Sequence, residues 1–148
     1  MKRRDFIVKG CTACFAGGMA LPFLSSCTSA KMVTGKISDN GIMLPKSEFV
    51  STKAGKDSFR SYVILQHDEL RYPICVYRFA DASYTALWMQ CSHQGAELQV
   101  SGDYLQCPAH GSEFNNKGKM INGPADSDLR SFPVTEINDQ LFIDLRKA

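Results

Sequence analysis

The sequence predicts an all-β chain of antiparallel sheets, and three observations carry that expectation. After residue 46 the chain breaks into short runs rich in β-branched and aromatic residues. Turn-forming Gly, Asn and Asp separate those runs. No stretch beyond the first 26 residues carries helical periodicity for longer than a single turn.

In chain order, the opening Lys2-Arg3-Arg4-Asp5-Phe6 is basic and contains paired arginines, and an apolar stretch runs from Cys11 to Leu24. This resembles a twin-arginine export signal over residues 1–26, a route that by its nature carries folded, cofactor-loaded cargo. Leu24-Ser25-Ser26-Cys27 resembles a lipobox, in which the Cys27 thiol would take the lipid and leave the chain anchored to an envelope membrane on the periplasmic side. Retention as a spanning helix is disfavoured, because the apolar stretch is short of the ~20 residues a span needs and Gly17, Gly18 and Pro22 interrupt it. Residues 27–46 are polar and punctuated by glycine, and are expected as a tether to a domain over 47–148.

Within that domain, Phe59 to Leu65 and Tyr72 to Phe79 are expected strands joined through the charged turn Gln66 to Arg71. Tyr84 to Met89 follows the turn Asp81-Ala82-Ser83, and Tyr104-Leu105-Gln106 follows Ser101-Gly102-Asp103. Lys119 to Ile121, Phe132 to Ile137 and Gln140 to Leu145 complete the set, with turns at 115–118 and 138–139. At 148 residues the chain suffices for one domain with a core, and its 44% apolar and 22% charged content is that of a globular protein. Four of the 17 basic residues and one of the 15 acidic ones fall in the first 26, leaving 13 against 14. No basic stripe remains, so nucleic acid is not an expected partner. Cys75 reads as an inert buried thiol, His67 as a solvated turn residue and Trp88 as a core aromatic.

The chemistry is concentrated in Cys91-Ser92-His93-Gln94-Gly95 and Cys107-Pro108-Ala109-His110-Gly111-Ser112. Two Cys and two His on separate loops are four ligands of the kind that suit zinc or a two-iron cluster. The spacing is not that of a zinc finger. Gly95 and Gly111 leave room for backbone amides to approach a bound group, and Pro108 stiffens the second loop.

These two loops, with Asn122-Gly123-Pro124-Ala125, resemble those of the Rieske [2Fe-2S] family, and the likeness runs from about Glu48 to Leu145. It implies one [2Fe-2S] cluster in a subdomain over about 88–126, with Cys91 and Cys107 on the buried iron and His93 and His110 on the outer one. Pro124 would belong to the loop that covers the cluster. The quinol-oxidising branch of the family carries an extra Cys in each loop, paired as a disulfide. Here those positions are Ala96 and Ala109. Ser112 matches that branch's hydroxyl donor to a bridging sulfide, whereas Phe114 stands where it has a tyrosine donor. An intermediate potential is expected. The resemblance implies a one-electron carrier working with redox proteins. It leaves open a Rieske subunit of a quinol–cytochrome c oxidoreductase, using quinol and a cytochrome b, or the small subunit of a periplasmic molybdenum oxidase. In each case the chain is not a complete enzyme by itself.

Overall fold

The computed structural model describes residues 30–146 apart from 39 and 54. The expected export signal, the lipobox and Cys27 lie outside the described residues. The strands in order are β1 (Met32–Thr34), β2 (Lys36–Ser38), β3 (Gly41–Pro45), β4 (Val50–Lys53), β5 (Lys56–Phe59), β6 (Tyr62–Gln66), β7 (Ile74–Arg78) and β8 (Tyr84–Trp88). They continue as β9 (Gln99–Ser101), β10 (Tyr104–Gln106), β11 (Glu113–Asn115), β12 (Met120–Asn122), β13 (Ser131–Phe132), β14 (Val134–Ile137) and β15 (Gln140–Asp144). A single 3-10 turn, Lys46–Phe49, joins β3 to β4.

A central sheet in the order β1-β6-β7-β8-β13 separates two others. It is antiparallel except at its edge, where β1 lies parallel to β6. Its middle strand, β7, reads Ile-Cys-Val-Tyr-Arg, and all but the last residue are buried. Alternation along a strand sends successive side chains to opposite faces. Ile74 and Val76, with Val63, Leu65 and Ala86, meet Ile42, Leu44, Leu141 and Ile143 of the sheet β14-β15-β3-β2 in one core. Cys75 and Tyr77, with Ile64 and Leu87, meet Leu98, Leu105 and Phe114 in a second core. Leu105 and Phe114 belong to the sheet β12-β11-β10-β9, which holds both ends of loop two (107–112) and the far end of loop one (89–98). The Cys75 thiol is fully buried, and desolvation pushes its pKa far up, so it stays protonated.

The expected tether is corrected from Met32 onward, because strands β1, β2 and β3 lie there, and Val33 of β1 with Ile42 and Leu44 of β3 joins the first core. Val33, Ile42 and Leu44 are buried although polar residues intervene. Gly35, which reads as flexibility, instead marks a close crossing: a Cβ there would sit 2.7 Å from Ile42 Cγ1 and 2.9 Å from Leu65 Cδ1. Two expected strands are divided. Phe59 ends β5, in the hairpin with β4, and β6 starts at Tyr62. Pro133, which cannot donate to a ladder, separates β13 in the central sheet from β14 in its neighbour.

Candidate metal centre

Loop one connects β8 to β9 and loop two connects β10 to β11, and both close with the same hydrogen bonds. Cys91 N–H donates to Ala96 O (2.8 Å) and Gly95 N–H donates back to Cys91 O (2.9 Å). Cys107 N–H donates to Ser112 O (2.8 Å) and Gly111 N–H to Cys107 O (2.9 Å). Each turn needs its glycine in the left-handed region, at φ 74° for Gly95 and 79° for Gly111. Conformation, rather than space alone, is therefore what these positions require.

The ligand side chains are sorted by depth. Cys91 and Cys107 are each 2% exposed and lie on the second core, whereas His93 is half-buried and His110 is exposed. The two thiols influence each other's ionisation. Burial pushes Cys91 up, helped by the Cys107 sulfur and opposed by N–H groups of His93 and Gln94 that point at its sulfur. At Cys107 burial again acts upward, but the N–H groups of His110 and Ala109 and the Cys91 thiol outweigh it, holding Cys107 below the ordinary thiol value. Backbone donors aimed at both sulfurs favour thiolates, the form that binds metal. The imidazoles meet edge to face with ring centroids 5.1 Å apart.

The Nδ1 atom of His93 is buried and has no hydrogen-bond partner. Leaving a polar atom so costs about 1–3 kcal/mol, which a ligand on that nitrogen would offset. Among the described residues no three Cys, His, Asp or Glu side chains converge as ligands of a single ion. The two thiols lie deep and the two imidazoles meet nearer the surface, a division into pairs that suits a group with two metal atoms.

A third segment, 123–130, packs across both loops. Ser92 Oγ donates to Ser127 O at 2.7 Å, and Ala125 N–H donates to Ser112 Oγ at 3.0 Å. Pro124 is exposed on this segment and Ala125 is buried. Ser112 Oγ accepts that bond while fully buried, and its hydroxyl keeps a proton of its own to donate. Phe114 carries no donor and is buried in the second core. Among the described cysteines, Cys75, Cys91 and Cys107 are all free. His67 sits half-buried in its turn, accepting from Glu69 N–H, and takes no part in the site. Two holding residues were not singled out from sequence: Ser92, and Tyr72, whose hydroxyl donates to Gly95 O at 2.6 Å. Both act through contacts 23 or 35 positions away, which no local motif signals.

A family model described as the Rieske [2Fe-2S] domain matches residues 45–133. No curated protein matches the chain significantly. Among solved structures, the chain is similar to the plasma-membrane Rieske protein PetC3 of the cyanobacterium Synechocystis PCC 6803, at 22% identity and TM-score 0.50, over 57% of this chain and 86% of that one. It is also similar to a ferredoxin of Sphingomonas yanoikuyae B1, at 24% identity and TM-score 0.45, over 57% and 84% of the two chains. A chain from the complex of reduced oxygenase and oxidized ferredoxin in carbazole 1,9a-dioxygenase matches at 25% identity and TM-score 0.47, over 60% and 83%.

Proposed function

Because this chain belongs to the Rieske [2Fe-2S] family, we propose that it is an exported, membrane-tethered one-electron carrier whose cluster is held by Cys91, His93, Cys107 and His110. Members of the family bind a [2Fe-2S] cluster and transfer electrons, and this chain does so too. When bound, that group supplies a reversible one-electron couple.

The observation that carries the ligand assignment is the orphaned, buried His93 Nδ1, on a loop whose Cys91 sulfur already receives backbone N–H bonds. Cys91 and Cys107 would hold the inner iron as thiolates, away from water. His93, through Nδ1, and His110 would hold the outer one. An imidazole bound through one ring nitrogen keeps a proton on the other. His110, being exposed, presents that second nitrogen to a docking redox protein and can hold or release its proton there. Ser112 would donate its free proton toward the cluster, favouring the more negative reduced form.

Ala96 and Ala109 carry no thiol, so the loops lack a disulfide brace, and Phe114 lacks a donor hydroxyl. One donor of two and no brace support a midpoint potential well inside the Rieske range of about −150 to +300 mV. Redox titration of the purified protein checks this. A one-electron transition in the middle of that range is expected, and a value near either end contradicts the assignment of Ser112, Ala96, Ala109 and Phe114 to these roles.

Export and tethering rest on Arg3, Arg4 and the lipobox ending at Cys27. Among the described residues, no helix is long and apolar enough to cross a membrane. A lipid on Cys27 would leave the domain at the membrane surface, within reach of redox partners there.

A further inference from the structure

Loop one is fastened to the central sheet by a residue outside the ligand motif. The Tyr72 hydroxyl donates to Gly95 O at 2.6 Å. Its ring is itself fixed, edge to face with Trp88 at 5.9 Å and beneath the Arg71 guanidinium at 5.4 Å. Trp88 lies in register with Ile74 in the middle of the central sheet, and Met89 N–H donates to Pro73 O beside it. The hydroxyl therefore reaches loop one from the bend two residues before β7, with its ring packed against the end of β8. The same Gly95 donates its own N–H to Cys91 O, so both sides of this glycine are held. Between Cys91 and Gly95 lie the His93 and Gln94 N–H groups that point at the Cys91 sulfur. Loop two closes with the same pair of backbone bonds.

We infer that Tyr72 is a positioning residue that sets the redox level of the centre by holding loop one, and with it the His93 and Gln94 donors, against the Cys91 sulfur. This rests on the cluster assignment made above. Hydrogen bonds to a ligand sulfur stabilise the reduced, more negative state, so a looser loop lowers electron affinity. Removing the hydroxyl keeps the ring and its packing on Trp88.

In the cluster-loaded protein, Tyr72→Phe is expected to lower electron affinity about tenfold, which is about 59 mV for a one-electron couple. Hydrogen–deuterium exchange should also quicken in peptides covering 91–97. Tyr77→Phe is the control, because Tyr77 donates at 3.3 Å to Gly102 O, in a turn that carries no ligand. It should leave both readouts at wild-type values. Site-specific 3-fluorotyrosine at position 72, a stronger donor of nearly the same shape, should raise the potential, and it decides the matter if Tyr72→Phe does not fold. Unchanged potential and exchange in Tyr72→Phe, equal shifts in Tyr77→Phe, or no response to fluorination would overturn the inference. A wild-type protein without a [2Fe-2S] spectrum would instead defeat the cluster assignment, and the exchange measurement would still test the fastening of the loop.

Discussion

Ser112 shows how much can hang on one side chain. It is fully buried, it accepts Ala125 N–H from the covering segment, and it closes loop two through its own carbonyl. Ser112→Ala removes the acceptor and strands a buried N–H, which should cost about 1–3 kcal/mol in denaturant unfolding. The same change should lower the midpoint potential, because the hydroxyl proton is lost; an unchanged potential would confine Ser112 to holding the covering segment. At this scale the sequence was most informative for the ligands, since Cys-x-His and Cys-x-x-His with a following glycine are local patterns tied to local turns. The residues that hold those turns were not legible. Tyr72 and Ser92 meet carbonyls far along the chain, and only the register of the sheets brings them there.

Among the elements, β7 decides the layout, because it is buried on both faces and so serves two cores. Leu105 on β10 belongs to the second core, beside Cys91 and Cys107, whereas Leu141 on β15 belongs to the first. Leu105→Ala and Leu141→Ala should each destabilise by about 2–5 kcal/mol in thermal or denaturant unfolding. Leu105→Ala alone should also speed loss of the bound cluster, followed by bleaching of its visible absorbance. Equal bleaching in both variants would mean that the two cores do not act separately. Strands such as β7, β8, β10 and β15 were readable because apolar and aromatic residues dominate them. Strands β1 to β3 were not: β1 and β2 are three-residue edge strands with at most one buried residue each, and β3, although Gly41, Ile42 and Leu44 are buried, follows them directly, so the whole stretch resembles a polar linker until its partners are known. The helical turn at Lys46–Phe49 buries only Phe49, too little to leave a periodic signal.

Over the whole molecule, one central sheet carries a supporting sheet on one face and the ligand-bearing sheet on the other. The thiols face inward and His110 faces solvent, so the site is open to a partner on its imidazole side. Lipidation at Cys27 would hold the domain close to a membrane. Cys27→Ser should move the protein from the membrane to the soluble fraction of cells, with its cluster intact, and continued membrane association would contradict a lipid tether. A [2Fe-2S] cluster held by two Cys and two His, taking one electron, gives the reduced protein a distinctive low-temperature EPR spectrum. A rhombic mixed-valence signal with nitrogen couplings from two imidazoles, lost in His110→Ala while the fold is retained, is the expected result. A silent spectrum, a signal without nitrogen coupling, or one unchanged by His110→Ala would contradict it.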